Sequence, residues 1–202
     1  MNTNQKTGSI RIVLGCMYSG KTSEVIKECK KWYSISRNAV CVNYEGDNRY
    51  GNDENLYSHD LNKIKCVKTG ELKQVDIEVI KTADIVLINE GQFFGDLLEY
   101  CLLWAEVYNK NIIVSGLDGD YLRNPFGKIL DLIPYADSVT KLHAFCSYCA
   151  NGTRAYFTKR ITKETDQKVI GGEDKYKAVC RYHYLIDTNN IEDVNNVDDS
   201  KN

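Results

Sequence analysis

Proline is nearly absent from this chain of 202 residues: Pro125 and Pro134 are the only two, so no proline-rich linker divides it. An excess of one charge is missing too. The 26 Lys plus Arg stand against 28 Asp plus Glu, and a net charge of −2 gives no electrostatic basis for nonspecific binding to nucleic acid or acidic membrane. Long apolar runs are lacking, since stretches such as Ile85 to Ile88 and Ile112 to Val114 fall far short of the ~20 residues that cross a bilayer. The amino terminus, MNTNQKTGS, is polar and carries no apolar segment of the secretory kind. No internal repeat with a period of roughly 20 to 50 residues is visible. These absences lead us to expect a cytoplasmic protein with neither a membrane nor a nucleic-acid partner. What is present, 43% apolar residues, is enough for one sizeable core and a small satellite.

Eight cysteines in a reducing compartment read as free thiols or metal ligands rather than disulfides. Cys16, Cys29, Cys41, Cys66 and Cys101 are scattered through apolar or mixed segments and read as small buried hydrophobes. Cys146-x-x-Cys149 and Cys180-x-x-His183 instead form two knuckle-like pairs, three thiolates and an imidazole suited to tetrahedral Zn²⁺. Four protein ligands leave no open position, so the ion is expected to be structural and to substitute for core that a small lobe cannot bury. Thirty residues separate Cys149 from Cys180, so the ion would clamp the base of a long excursion. Within it, Thr158-Lys159-Arg160 and Val169-Ile170-Gly171-Gly172 suit either a loop folding over a ligand or a surface hairpin, and sequence mechanics leave both readings open.

The β-branched run Ile10 to Leu14 ends at Gly15, and Thr22 to Ile35 then places Val25, Ile26, Cys29, Trp32 and Tyr33 at helical spacing. Val40 to Val42, Ile85 to Ile88 and Ile112 to Val114 read as further buried strands, and Leu97 to Tyr108 as a helix. Aliphatic strands alternating with amphipathic helices imply an α/β domain: a parallel sheet with helices on both faces. We therefore expect a flexible N-terminus at 1–8, a P-loop α/β domain at 9–144, a zinc-binding lobe at 145–186 and a disordered acidic tail at 187–202. That tail carries five acids against one Lys, which leaves the remaining residues mildly basic.

Between the first strand and helix, Gly15-Cys16-Met17-Tyr18-Ser19-Gly20-Lys21-Thr22 satisfies G-x-x-x-x-G-K-[ST] in the context its mechanism needs. Backbone N–H groups and the helix N-terminus would cradle the phosphates of ATP, Lys21 would reach them, and the Thr22 hydroxyl would ligate Mg²⁺. The buried strand Ile85 to Ile88 runs into Asn89-Glu90, where a carboxylate close to the P-loop would serve as general base; we expect the two strands to lie side by side.

Several blocks together resemble one family, the type II thymidine kinases, from about Ile10 to Tyr184. They are GCMYSGKT, Asp47-Asn48-Arg49-Tyr50, Glu90-Gly91-Gln92-Phe93-Phe94, Leu117-Asp118-Gly119 with Pro125-Phe126, Thr158-Lys159-Arg160, Val169-Ile170-Gly171-Gly172 before Asp174-Lys175-Tyr176, and the zinc pairs. The resemblance implies transfer of the ATP γ-phosphoryl group to the 5′-hydroxyl of thymidine with Mg²⁺ and a structural Zn²⁺. Glu90, Lys21 and Arg49 would be catalytic, and Gly15 through Thr22 with Asn89 would hold Mg²⁺ and ATP. Met17, Phe93, Leu117, Tyr121, Phe126 and Tyr176 would enclose the thymine, the main chain around Lys168, Val169, Ile170 and Gly171 would hydrogen-bond it, and Thr158 and Gln167 would also bind the substrate. A homotetramer and feedback by dTTP are implied as well. Three positions depart from the usual pattern: Asn89 stands for Asp, Tyr121 for Phe, and His183 for the fourth Cys found in animal and poxvirus members. Asn89 removes a charge near Mg²⁺ and leads us to expect weaker metal affinity or turnover. A kinase of another nucleoside, a zinc-containing nucleic-acid binder that uses ATP as a switch, and a weakly active nucleotide-binding regulator stay open beside this reading.

Overall fold

The computed structural model describes residues 7–47, 54–58 and 62–186. Arg49, the expected acidic tail and most of the expected flexible N-terminus lie outside the described residues. Six strands build the central sheet: β1 (Ser9–Gly15), β2 (Ala39–Tyr44), β5 (Val67–Thr69), β6 (Ile85–Asn89), β7 (Asn111–Gly116) and β8 (Ser138–Leu142). A short antiparallel pair, β3 (Asn55–Tyr57) with β4 (Lys63–Lys65), interrupts their succession. The order across the sheet is β5-β2-β6-β7-β1-β8, and every pairing is parallel.

Alternate side chains of the central strands enter opposite apolar layers, which is why these strands read as unbroken aliphatic runs. Ile12, Leu14, Val86, Ile88, Ile112 and Val114 join a core covered by α2 (Ile77–Thr82) and α3 (Leu97–Leu102) through Ile80, Leu97 and Cys101. Val13, Ile85, Leu87 and Ile113 join the second layer, covered by α1 (Lys21–Ser34) through Val25, Ile26 and Cys29. Arg11, on the α1 side of β1, pairs with Glu24 at 2.9 Å and with Glu28 at 3.5 Å. Cys16, Cys29, Cys41, Cys66 and Cys101 are all buried free thiols, as their apolar settings suggest.

Three features differ from the sequence expectation. The strand leading to Glu90 is next but one to β1, because β7 lies between them. The helix expected at Leu97 to Tyr108 is α-helical only to Leu102, then widens into a π-helical turn over Leu103–Val107, closed by the Tyr108 N–H on the Leu103 carbonyl at 3.2 Å. The wider turn keeps Trp104 and Ala105 buried while Val107 faces solvent. β8 carries no apolar run, because an edge strand with a largely exposed surface needs none.

After β8 the chain leaves the sheet. β9 (Ala144–Phe145) pairs antiparallel with β10 (Arg154–Ala155), β11 (Phe157–Arg160) with β12 (Tyr176–Val179), and α4 (Arg181–Leu185) follows. The lobe's own small core is the cluster of Cys146, Ala155, Ala178 and Val179, which Cys16 of the glycine loop completes.

Candidate active site

The glycine loop is shaped by close approach. A Cβ at Gly15 would lie 2.4 Å from Ser19 Oγ and 3.1 Å from the Leu142 carbonyl, and Gly20 at φ 85° opens α1 from the left-handed region. Lys21 folds back so that its Nζ donates to the Cys16 carbonyl at 2.7 Å. Residues Met17 to Thr22 line a cavity of about 580 Å³ together with Glu90 and Ile170 to Asp174. Gly15 and Cys16 stand behind it. The Cys16 thiol points into the lobe, 3.4 Å from the Ala155 carbonyl, and burial pushes its ionisation up.

Thr22 Oγ1 lies 3.5 Å from Asn89 Oδ1, which also accepts the Ser115 hydroxyl at 2.9 Å. Asn89 Nδ2 donates to Asn43 Oδ1 at 3.0 Å, and Asn43 Nδ2 approaches Asp47 Oδ2 at 3.5 Å. Asn89 thus turns its oxygen toward Thr22, which lines the cavity, and such a pair of oxygen donors suits a hard cation such as Mg²⁺. The next residue, Glu90, is a non-glycine at φ 55° and ψ 42°, a conformation costing about 1–3 kcal/mol and held by its surroundings. The residue is 7% exposed, and its carboxylate accepts from Gln92 Nε2 at 2.6 Å.

A second, apolar cavity adjoins the first and is nearly closed up, with about 40 Å³ of free volume. Met17, Leu117, Phe126 and Tyr176 form its apolar cluster, with Phe93 edge-on to Phe126 at 5.4 Å. Tyr121, Thr158, Gln167, Val169, Ile170 and Gly171 complete the expected residues that line it. Lys168 does not: its ammonium turns outward onto the Tyr44 hydroxyl and lies 4.1 Å and 5.0 Å from the Tyr44 and Phe93 ring centroids. A long cation is held there by aromatic faces at the surface rather than desolvated in an apolar pocket.

The structure adds Gln92, Gly119, Asp120 and Arg160 to this cavity; the first two and Arg160 stand in blocks singled out in the sequence without a site role, and Asp120 stands in none. Asp120 Oδ1 accepts the Leu122 and Asn124 N–H groups at 2.9 and 2.8 Å, and Oδ2 accepts Gln167 Nε2 at 2.8 Å. The Asp–Tyr–Leu–Arg–Asn run is turn chemistry and was the available signal. Arg160 lies 3.8 Å over the Tyr121 ring, donates to the carbonyls of Glu164 and Asp166 at 2.8 and 2.7 Å, and reaches the Tyr176 hydroxyl at 2.8 Å. The Tyr121 hydroxyl itself finds the Thr165 carbonyl at 2.9 Å. The excursion therefore folds over the cavity and does not stand away as a surface hairpin.

Cys146, Cys149, Cys180 and His183 converge, their ligand atoms all within 4.8 Å of one another. His183 Nδ1 lies 3.5, 3.3 and 3.4 Å from the three sulfurs, and Cys149 Sγ 3.9 Å from Cys180 Sγ. Zn–S bonds of about 2.3 Å and a Zn–N bond of about 2.0–2.1 Å imply tetrahedral edges of roughly 3.5–3.8 Å, so the donor set and its spacing fit Zn²⁺. Burial pushes the Cys146 thiol up, but the backbone N–H groups of Cys180, Cys149 and Tyr148 outweigh it together and hold it at about 6. The lobe meets the glycine loop directly, because the Met17 N–H donates to Thr158 Oγ1 at 3.0 Å.

A parallel sheet, a G-x-x-x-x-G-K-T loop opening a helix and a carboxylate facing that loop define an α/β protein of the P-loop kinase class. The family model for thymidine kinase matches residues 8–184. A rice thymidine kinase is 43% identical over 183 residues, covering 88% of this chain and 66% of the rice protein. The thymidine kinases of Yaba monkey tumor virus and vaccinia virus (strain Western Reserve) are 40% and 39% identical; the matches cover 90% and 88% of this chain and 97% of each viral protein. The chain belongs to the thymidine kinase family.

Proposed function

We propose that the protein transfers the γ-phosphoryl group of ATP to the 5′-hydroxyl of thymidine, giving dTMP and ADP. The observation that carries this reading is the junction of the two cavities. Met17, Glu90, Ile170 and Gly171 line both, so a carboxylate stands between an apolar, aromatic-lined space and the glycine loop. Thymine would lie among Met17, Leu117, Phe126 and Tyr176, with its polar edge read by main-chain groups of 167–171.

Glu90 would accept the 5′-hydroxyl proton as that oxygen bonds to the γ-phosphorus; the bond to the β,γ-bridging oxygen breaks, and ADP leaves. Lys21 would exchange its contact with the Cys16 carbonyl for the phosphates. Arg49, in the block Asp47-Asn48-Arg49-Tyr50 that carries the resemblance, would share the task of balancing charge on the transferred group. Thr22 and Asn89 would hold Mg²⁺, which when bound neutralises phosphate charge. The segment over the cavity would keep water from the phosphoryl group.

In this reading residues 9–144 are the kinase domain and 145–186 a zinc-held lobe. The protein works in the cytoplasm as a homotetramer, and dTTP, which joins base and phosphates in one molecule, inhibits by spanning both cavities. Among the described residues no helix is long and apolar enough to cross a membrane.

The test is product formation from labelled thymidine with Mg-ATP, with deoxycytidine and dTMP as competing acceptors. We expect dTMP as product and a loss of about 10²-fold or more in Glu90→Ala. Preference for another acceptor would overturn the substrate, and an unimpaired Glu90→Ala would overturn the base. ATP binding without any turnover would make the protein a nucleotide-binding regulator.

A further inference from the structure

Gln92 follows the base residue by two positions and is 3% exposed. Both ends of its carboxamide are engaged: Nε2 donates to Glu90 Oε2 at 2.6 Å, and Oε1 accepts the Leu117 N–H at 3.0 Å. Glycines from separate segments reserve the space. A Cβ at Gly116 would lie 2.4 Å from Gln92 Oε1, and one at Gly127, at φ +60°, would lie 2.0 Å from the Gln92 carbonyl oxygen. Only glutamine offers a neutral donor and acceptor on one planar head at this reach. An ionised Glu keeps the acceptor and loses the donor, and Met keeps the length and loses both.

We propose that Gln92 is a positioning residue for phosphoryl transfer: it clamps the Glu90 carboxylate to the main chain of Leu117 and so ties the base to the wall of the nucleoside cavity. Leu117 lines that cavity, so nucleoside and base are registered against one piece of chain, and the carboxylate's rotation is restrained before substrate arrives. The inference rests on Glu90 being the base.

Gln92→Glu keeps the volume and the acceptor for Leu117 but sets two carboxyl groups across a contact of 2.6 Å in the parent. With one proton between them the clamp is rebuilt with Glu90 able to act; with none, the two charges repel. The kcat of Gln92→Glu should therefore follow a bell, falling at least about tenfold below the parent by about pH 8 while the thymidine KM stays within about threefold. Gln92→Met should lose kcat at every pH, so that recovery of Gln92→Glu at lower pH is rescue by the conservative variant. A Gln92→Glu profile superimposed on the parent's, with Gln92→Met within about twofold in kcat, overturns the clamp. Should Gln92→Glu fail to bind an ATP analogue, Gln92→Met decides alone, and if both fail to bind it Gln92 is structural and the proposal falls. Glu90→Gln is the control. Parental turnover there removes the base assignment itself, whereas an inactive Glu90→Gln beside unaffected Gln92 variants removes only the clamp.

Discussion

At position 89 an amide takes the place where the family pattern leads one to expect a carboxylate, and its neighbours are adapted to the amide. Asn89 Nδ2 donates to Asn43 Oδ1, so an Asp would bring a charged oxygen to within about 3.0 Å of another acceptor. Asn43 can turn its own Nδ2 to that Asp only by presenting its oxygen to Asp47. We expect Asn89→Asp to lower stability by about 1–2 kcal/mol, the cost of an unsatisfied buried polar contact, and to tighten Mg²⁺ at Thr22. Denaturant unfolding in metal-free buffer and a Mg²⁺ titration with an ATP analogue measure the two effects. Unchanged values for both would show that the amide and the acid are interchangeable here. The identity of residue 89 was legible in the sequence, but the orientation of its amide was not, because Asn43, Ser115 and Thr22 reach it from other strands and α1.

The segment between β11 and β12 is organised by Arg160, whose guanidinium serves the carbonyls of 164 and 166 and the Tyr176 hydroxyl. A lysine cannot reproduce this fork. Arg160→Lys should raise the thymidine KM about tenfold and speed proteolysis within 161–175, as the loss of at least one charge-assisted hydrogen bond requires. An unchanged KM would show that the segment holds its shape without the fork. At the surface, Lys175 bonds Glu164 at 2.7 Å and holds its carboxyl at about 2, below the ordinary 4.5. A lowered carboxyl stabilises the folded segment above its ordinary range and loses that contribution as pH falls from 4.5 toward 2. Hydrogen-exchange protection in 161–175, taken relative to the intrinsic rate at each pH, should therefore fall as pH drops from about 4.5 toward 2, and Glu164→Gln should already show the lower protection at about pH 5. Equal exchange in parent and variant at about pH 5 would mean that the ion pair is too solvated to matter. Elements were legible where a local period exists, as in β1, α1, β6 and β7. The π-helical turn, edge strand β8 and the folding of this segment over the cavity were not, since each is set by partners distant in the chain.

Across the whole molecule, the lobe and the glycine loop share one support. Cys16 completes the lobe's small core, and Thr158 holds the Met17 N–H. Removing Zn²⁺ should therefore weaken ATP binding, although no metal ligand lines either cavity. We expect His183→Ala, or the parent under a chelator, to lose the zinc, to melt the lobe and to bind an ATP analogue at least about tenfold more weakly, with His183→Cys retaining all three properties. Metal content, thermal unfolding and calorimetric titration check this. Full ATP affinity in a zinc-free protein would show that the loop is held by the sheet alone.

The sequence by itself determined what depends on neighbours along the chain: the glycine loop, the two-sided strands, the paired metal ligands and the carboxylate after a buried strand. Spacing and local geometry suffice for these, because backbone sterics and hydrophobic period act over a few residues. Only the tertiary structure decided the strand order that puts β7 between Glu90's strand and β1, the outward turn of Lys168, and the contacts of Gln92, Asp120 and Arg160. The long-range side-chain contacts among these join residues 16 to 124 positions apart, from Arg160 with Tyr176 to Lys168 with Tyr44, and no local pattern encodes which distant carbonyl, hydroxyl or amide will be within reach.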